Sequence, residues 1–336
     1  MQQLCVDEVW DGQRLDNFLL RELKGVPKTH IYRIIRSGEV RINKGRAKAD
    51  TRLQTGDMLR LPPVRTALSS HPAAETPEYA AAKNAAVADL IRQIPIIYED
   101  EAFIALDKPA GLAVHGGSGI SLGVIETLRR ARPTAKYLEL VHRLDRETSG
   151  ILLVAKKRSS LVHLQTQFKQ RETGKVYLAL VRGTWPAKHK LIDQYLQRYL
   201  LPPVGNQPEG ERRVRIVNAD AAGAQRAISL VQVEKILQLP LPEQAALPAS
   251  LLAVTIKTGR THQIRVHLAG NGHAILGDDK YGDYSLNKNL ARAGLKRMFL
   301  HAWRLRVQHP TTGAEMQLES ALPPELQHLL TTAETN

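Results

Sequence analysis

An aspartate flanked by arginines stands directly before an apolar segment. Asp145 lies in the run HRLDRETSG, His142–Gly150, and the apolar residues Ile151–Ala155 follow as a predicted buried strand. A loop mounted on a buried strand is a common place for catalytic side chains. Positive charge from Arg143 and Arg146 favours an ionised carboxylate, which can attack carbon. An aspartate that caps a turn would have the same local sequence, so both interpretations are open here.

Two later segments carry an aromatic residue and a set of polar residues. Tyr177 lies in KVYLALVRG, Lys175–Gly183, where apolar side chains alternate as they do along a strand. Arg265 lies in GRTHQIRVH, Gly259–His267, which leads into a predicted helix. Taken singly, Tyr177 would be a half-buried strand residue and Arg265 a surface charge.

These three segments resemble the RluA-type family of pseudouridine synthases. HRLDRETSG follows the family signature H-R-L-D-x-x-T-S-G, and the other two segments resemble its tyrosine-bearing strand and its arginine-bearing segment. The resemblance implies that Asp145 is the nucleophile and that Arg265 pairs with it. It also implies that Tyr177 packs against a flipped uracil while Arg143 enters the vacated RNA stack. The other RNA contacts predicted in these segments are His142, Arg146, Arg260 and His262.

The chemistry that this resemblance implies accounts for the residue types. Pseudouridine forms when the N1–C1′ bond breaks, the uracil turns and C5 joins C1′. The nucleotide must first leave the helical stack, at a cost of a few kcal/mol. Stacking on an aromatic ring returns about 1–3 kcal/mol per base. The reaction is redox-neutral, so we expect no cofactor. The sequence has no HExxH or paired-cysteine pattern, so we expect no metal. Attack by Asp145 on C6 of the uracil or on C1′ of the sugar is equally compatible with the sequence.

A basic patch lies near the N-terminus. A predicted helix and the turn after it carry seven basic side chains: Lys28, Arg33, Arg36, Arg41, Lys44, Arg46 and Lys48. Phosphate contacts from such a patch would position RNA without reading its sequence; a solvated helix face is the alternative. The runs RLDNFL, VRIN and TGD in this region resemble the S4 RNA-binding domain between Gln13 and Leu61.

The whole sequence predicts an α+β protein with two domains. We expect an S4-like RNA-binding domain at 13–62, a linker rich in Ala, Pro and Ser at 63–92, and a pseudouridine synthase catalytic domain at 93–330. The linker is predicted to hold a helical piece around Tyr79–Leu90. The catalytic domain is predicted to have a mixed, largely antiparallel sheet, with Leu237–Pro248 lengthening a surface loop.

Composition narrows the class of protein. The 336 residues carry a formal net charge of +14 and 43% hydrophobic side chains, which fits a folded protein with a polyanionic partner. A single cysteine, Cys5, excludes an internal disulfide and favours a reducing compartment. The N-terminus has no signal-peptide pattern, and the apolar stretches are too short for a bilayer. We therefore expect a cytoplasmic monomer without a membrane partner.

The substrate expected from the resemblance is 23S ribosomal RNA, free or in assembling large subunits. An S4 domain followed by VHGGSGISLGVIETLR, Val114–Arg129, is typical of family members that modify large-subunit ribosomal RNA. Two alternatives stay open: a catalytically silent RNA-binding or ribosome-assembly protein, and a synthase that acts on transfer RNA. The joint presence of Asp145, Tyr177 and Arg265 favours an enzyme over the silent protein.

Overall fold

The computed structural model describes residues 2–23, 26–64, 94–116, 123–202, 211–242 and 244–334. Most of the predicted linker, 63–92, lies outside these ranges, together with the helical piece predicted around Tyr79–Leu90. The described residues form two sheets, one before this gap and one after it. The exact domain bounds stay a prediction.

Two short helices pack on a small sheet in the N-terminal unit, residues 2–64. Its elements are β1 (Gln2–Cys5), α1 (Leu15–Glu22), α2 (Lys28–Arg36), β2 (Arg41–Ile42), β3 (Gly45–Arg46) and β4 (Met58–Leu61), and its strand order is β1-β4-β2-β3. Phe18 and Leu19 of α1 share a core with Ile31, Ile34 and Ile35 of α2. Because these apolar residues recur at helical spacing, the opposite face of α2 is left to its basic side chains.

A large mixed sheet organises the rest of the chain. Its strands in the described residues are β5 (Ile96–Glu99), β6 (Phe103–Lys108), β7 (Glu139–Leu140), β8 (Ser149–Ala155), β9 (Gly174–Arg182), β10 (Leu191–Leu200), β11 (Arg212–Val217), β12 (Gln225–Leu241), β13 (Gln244–Ile256), β14 (Leu300–Gln308) and β15 (Glu315–Glu319). The order is β11-β10-β12-β13-β9-β14-β8-β6-β5, with β15 beside β14 and β7 beside β8. Antiparallel pairs predominate, so the predicted α+β fold with a mixed, largely antiparallel sheet is confirmed.

Helices cover both faces of this sheet. In the described part of the chain they are α3 (Val124–Ala131), α4 (Arg158–Gln170), α5 (Gln263–Gly270), α6 (Tyr284–Arg292) and α7 (Pro324–Glu334). Strand β9 shows the layering: Leu178 and Leu180 pack with α6 and α7, whereas Ala179 and Val181 pack with α5 on the other face. Among the described residues, no helix combines the length and the apolar character that crossing a membrane requires.

Strand β14 joins two halves of the large sheet. It pairs antiparallel with β9 on one side and parallel with β8 on the other, where His301 meets Ser149 and Ala302 meets Gly150. We call this short parallel contact the β8–β14 seam. Gly150 has a φ of +107°, and a Cβ there would lie 2.3 Å from the carbonyl oxygen of Ala302. Glycine is therefore required at the point where the loop carrying Asp145 enters the sheet.

The prediction of a surface loop at Leu237–Pro248 is wrong. Strands β12 and β13 continue through it as a hairpin that pairs Leu237 with Ala249 and Leu239 with Leu247. Leu237 and Leu239 are buried in the core that α7 covers. Prolines suggested a loop because they cannot donate to a strand ladder. Alternating leucines are typical of a strand. Their burial against α7 stabilises the hairpin despite the prolines.

The N-terminal unit contacts the part built on the large sheet through rings and charges. Trp10 and Tyr137 meet edge-on, with ring centroids 5.6 Å apart. The guanidinium of Arg21 lies 4.4 Å from the Trp10 ring centroid, and its Nη1 lies 2.6 Å from Glu139 Oε1. The two parts are thus packed against each other as well as joined by the chain.

Candidate active site

A cavity of about 220 Å³ opens between the loop that carries Asp145 and the start of helix α5. Its walls combine Asp145 with Tyr177 of β9 and with residues of the segment leading into α5. Leu144, Ile256 and Leu300 add apolar surface. Most of the other lining residues are polar or charged, so the cavity combines an apolar surface with convergent polar groups, as small-ligand sites do.

The carboxylate of Asp145 faces a guanidinium that other carboxylates hold in place. Arg265 Nη1 lies 3.9 Å from Asp145 Oδ2. Arg265 Nε and Nη2 donate to the two carboxylate oxygens of Asp278, at 2.7 and 2.6 Å. Nη2 also lies 3.2 Å from Asp279 Oδ1. The predicted neighbourhood of Arg265 and Asp145 is present, but Asp278, the main partner of Arg265, was missed.

Burial and charge act in opposite directions on the Arg265–Asp278 pair. Burial tends to raise the pKa of Asp278, but the hydrogen bonds from Arg265 hold that pKa below its ordinary value. Burial tends to lower the pKa of Arg265, whereas Asp278 and then Asp145 keep that pKa above its usual range. Both partners stay charged at neutral pH, so Asp145 faces a lasting positive charge.

Tyr177 forms one wall of the cavity. In the sheet it pairs with Val254 of β13 and Ala302 of β14. Burial, and then the carboxylate of Asp145, raises the pKa of Tyr177 well above its usual range, so the phenol stays neutral. A neutral ring held between two strands suits stacking against a base.

His262 and Tyr281 form a second polar pair at the cavity. His262 has a left-handed backbone conformation, with φ 51°, directly before α5. Its Nδ1 lies 2.8 Å from the Tyr281 hydroxyl and its Nε2 lies 3.9 Å from Asp145 Oδ2. The Tyr281 hydroxyl also accepts a hydrogen bond from Val214 N–H at 3.0 Å. The sequence identified His262 but gave Tyr281 no role.

A buried lysine supports the loop that carries Asp145. Lys108 is fully buried, and its Nζ donates to the carbonyl oxygens of Pro109, Leu112 and Arg146 at 2.8, 2.8 and 3.0 Å. These three acceptors match the three N–H groups of an ammonium, although burial lowers the pKa of Lys108 to about 7. The hydrogen bond to Arg146 connects strand β6 to the loop. The sequence around Lys108 does not indicate this role.

Comparison with known proteins identifies the family. Residues 102–270 match the RNA pseudouridylate synthase family, and residues 13–59 match the S4 domain. The chain belongs to the RluA-type family of RNA pseudouridine synthases. It is 45% identical over 330 residues to the ribosomal large subunit pseudouridine synthase C of Pasteurella multocida, which covers 98% of this chain and 93% of that protein. The protein of the same name from Escherichia coli K12 is 46% identical over 321 residues, 95% of this chain and 92% of that protein.

A solved structure shares the fold of this synthase. Human RNA pseudouridylate synthase domain containing 4 superposes with a TM-score of 0.57, at 26% identity, over 76% of this chain and 98% of that chain. The predicted family, the S4 domain ahead of the catalytic part and the enzyme class are confirmed.

Three arginines near the cavity were predicted to contact RNA, and they differ in whether they line it. Arg143 and Arg260 line the cavity, and the Arg143 side chain is exposed. Arg146 is exposed as well, but its Nε donates to the carbonyl oxygen of Gly111 at 2.9 Å. The structure thus brings two of the three together beside Asp145, and RNA contact by each stays a prediction.

His142 makes contacts within the protein. Its ring stacks on Phe168, with centroids 4.7 Å apart and 17° between the planes. Its Nε2 accepts a hydrogen bond from Leu153 N–H at 3.1 Å. Burial lowers the pKa of His142 to about 3, so the ring is neutral at physiological pH. The imidazole of the half-buried His142 is thus engaged by Phe168 and Leu153, and its contact with RNA stays a prediction.

The basic patch lies on the N-terminal unit, apart from the cavity. Arg41 is half-buried and the other six members are exposed: Lys28, Arg33, Arg36, Lys44, Arg46 and Lys48. Their contacts are local, as with Arg33 Nη1 at 3.2 Å from Glu39 and Arg36 Nε at 3.3 Å from the carbonyl oxygen of Tyr32. Such contacts exchange readily for phosphate, which suits the predicted RNA-binding role.

Proposed function

We propose that the synthase isomerises uridines of 23S ribosomal RNA, with Asp145 as the nucleophile acting on a base flipped into the cavity. Relatives named as ribosomal large subunit pseudouridine synthases align over almost the whole chain, which supports this substrate. The observation that carries the proposal is the position of Asp145, whose carboxylate lines a cavity opposite the buried Arg265.

The lining of the cavity supports entry of a flipped base. Extrusion of a uridine from a stack costs a few kcal/mol. Tyr177, Ile256 and Leu300 offer the uracil an apolar and aromatic surface, and aromatic stacking alone returns about 1–3 kcal/mol. Arg143 lines the same cavity and is exposed. Its planar cation can both stack and hydrogen-bond, which suits the gap that the uridine leaves in the RNA.

The reaction is a redox-neutral isomerisation. Asp145 forms a covalent bond to the uridine, the N1–C1′ bond breaks, the base turns and the C5–C1′ bond forms. The bond from Asp145 to the uridine then breaks, which restores the free carboxylate. C5 loses its proton and N1 gains one, so atoms and electrons balance. Arg265 orients the carboxylate because Asp278 fixes the guanidinium at two points.

The basic patch supplies the affinity for a large RNA. Each phosphate that a lysine or arginine neutralises releases condensed counterions, which favours binding without reading sequence. The patch lies on the S4 domain, residues 13–59. We propose that it holds the ribosomal RNA while the cavity acts on a chosen uridine.

Tritium release from 5-tritiated uridine tests this function, because formation of the C5–C1′ bond expels the label. The intact protein and Asp145→Ala are incubated with 23S ribosomal RNA transcripts, immature large subunits and transfer RNA. We expect release from the ribosomal substrates by the intact protein and none by the variant. Release from transfer RNA alone would reassign the substrate. Absence of release from all three would favour a silent RNA-binding or ribosome-assembly protein.

A further inference from the structure

His262 and Tyr281 make a hydrogen-bonded pair whose protons can be assigned. The hydroxyl of a tyrosine has one proton to donate and two lone pairs to accept with. Val214 N–H occupies one lone pair of Tyr281 at 3.0 Å. The His262 Nδ1 lies 2.8 Å from the same oxygen. Burial chiefly raises the pKa of Tyr281, so its proton stays in place at neutral pH.

The Tyr281 hydroxyl donates its proton in a hydrogen bond to His262 Nδ1. In that arrangement Val214 donates to the hydroxyl, the hydroxyl donates to the imidazole, and all three groups are satisfied. If His262 Nδ1 carried the proton instead, the hydroxyl would accept hydrogen bonds from both Val214 and His262. The proton of the hydroxyl would then have no acceptor in either neighbour. A neutral His262 therefore carries its remaining proton on Nε2.

Burial favours the neutral form of His262, although charges of both signs surround it. Asp145 and Asp278 favour the imidazolium, whereas burial, Arg265 and Lys280 oppose it. Burial is the largest of these influences, and the pKa of His262 lies below its ordinary value. At neutral pH the ring thus has a single proton to offer, at Nε2.

The Nε2 proton faces the space proposed for the base. Nε2 lies 3.9 Å from Asp145 Oδ2, which is beyond hydrogen-bonding distance. His262 lines the cavity together with Asp145 and Tyr177. A donor that does not bond the carboxylate directly can bond an acceptor on an entering ligand, and uracil carries two carbonyl oxygens.

We infer that His262, oriented by Tyr281, donates its Nε2 proton in a hydrogen bond to a carbonyl oxygen of the flipped uracil. This inference rests on the proposed function and adds a catalytic residue, His262, and a positioning residue, Tyr281. Negative charge builds on the uracil oxygens whether a nucleophile adds to C6 or the bond to C1′ breaks. The hydrogen bond therefore strengthens in the transition state, and its loss slows the chemical step more than it weakens binding.

Two amide variants separate this role from a structural one. His262→Gln extends about as far as Nε2 and offers an N–H there, whereas His262→Asn ends near the position of Nδ1. Asparagine is also well tolerated in left-handed backbone, so folding does not favour the glutamine. We expect His262→Asn to lower the single-turnover rate of tritium release about 10²-fold, and His262→Gln to stay within about tenfold of wild type. Both should bind 23S RNA transcripts with nearly unchanged Kd.

Tyr281→Phe tests the orientation of the imidazole. Removing the hydroxyl leaves His262 Nδ1 without its donor, so the proton can move between the two ring nitrogens. We expect the single-turnover rate to fall by about tenfold, which is one hydrogen bond of modest strength. The ¹⁵N spectrum of histidine-labelled protein, assigned with His262→Gln, should show an Nε2–H tautomer in the wild type and a mixture in Tyr281→Phe.

The outcomes distinguish this inference from the proposed function. Equal rates in wild type, His262→Asn and His262→Gln, or an equal fall in both variants, would overturn the inference while the function stood. A wild-type spectrum with the proton on Nδ1 would overturn it as well. If the wild type releases no tritium from any RNA, the proposed function fails and the role of His262 fails with it.

Discussion

The cavity and the basic patch both contain arginines, but these differ in burial and in the strength of their ion pairs. Arg265 is buried and contacts both oxygens of Asp278. Arg33 and Arg36 are exposed, and each makes a local contact that water could replace. Breaking a buried pair costs about 3–5 kcal/mol, whereas an exposed pair contributes about 0–1 kcal/mol. The cavity therefore depends on individual atoms, and the patch depends on the sum of its charges.

This difference suits two tasks. A covalent reaction requires reacting groups to be held in one geometry before the substrate arrives. A long, folded RNA presents phosphates at many positions, so cations that exchange partners freely can follow it. The proposed roles of the two regions thus need opposite degrees of burial, and substitutions in them should have effects of very different size.

Asp145→Asn should produce the largest difference between the two regions. The amide keeps the size of the side chain and removes the charge that would attack. We expect the single-turnover rate of tritium release to fall at least about 10⁴-fold. The RNA Kd should change less than about threefold, because the basic patch is intact. Glu147→Gln, a neighbouring carboxylate outside the cavity lining, is the control. A large loss of affinity in Asp145→Asn would assign Asp145 a structural role.

Asp278→Asn tests whether burial makes the Arg265–Asp278 ion pair strongly stabilising. The variant leaves a buried guanidinium without its bidentate partner, so urea unfolding should show a loss of about 3–5 kcal/mol. Asp279→Asn is the matched control, because Asp279 also contacts Arg265, at 3.2 Å, but has a side chain that is 72% exposed. It should cost less than about 1 kcal/mol. Equal losses would remove the distinction between cavity and patch.

Arg36→Gln and Lys44→Gln should show the additive behaviour of the patch. Each removes one exposed cation. The slope of log Kd against log salt should fall by about 0.7–0.9 for each phosphate that the protein ceases to neutralise, and the double variant should show twice this fall. The single-turnover rate at saturating RNA should not change. Lys188→Gln, an exposed lysine outside the patch, controls for net charge. An all-or-none loss of binding would show that the patch acts through one specific interaction.

Glu99 lies between the buried and the exposed ion pairs, and its effect is confined to acid pH. Hydrogen bonds from Arg132, and then from Lys156, lower the pKa of this partly exposed carboxylate to about 2. An unfolded chain takes up this proton near pH ~4.3. The stabilisation is therefore present above about pH 4.3 and is lost as the pH falls toward 2. Glu99→Gln should flatten the decline of the unfolding free energy across this interval, whereas the exposed Glu101→Gln should leave the decline unchanged.

The sequence identified the cavity residues that belong to recognisable segments. Asp145, Tyr177 and Arg265 were found in this way, and the cavity contains all three. Lys108 and Asp278 were missed because their roles depend on contacts that only folding creates. The contacts of His142 with Phe168 and Leu153 were missed for the same reason.

The sequence predicted individual helices and strands, but it did not predict the order of the strands in the sheet. Apolar residues predicted strands where β8 and β9 lie, and a helix was predicted where α2 lies. No local pattern indicates that β14 will lie beside β8, because that pairing joins Ser149 to His301, far apart in the chain. The Leu237–Pro248 hairpin was missed for a similar reason, since its burial depends on α7.

The β8–β14 seam also bears on the order in which the protein can mature during synthesis. Asp145 belongs to the half of the sheet that leaves the ribosome first, whereas Arg265 and the seam strand β14, Leu300–Gln308, follow much later. The N-terminal unit, with its own small sheet and core, is complete long before them. We therefore expect a nascent chain to be able to hold RNA before it can modify any, with catalysis beginning only when the last strands have been translated.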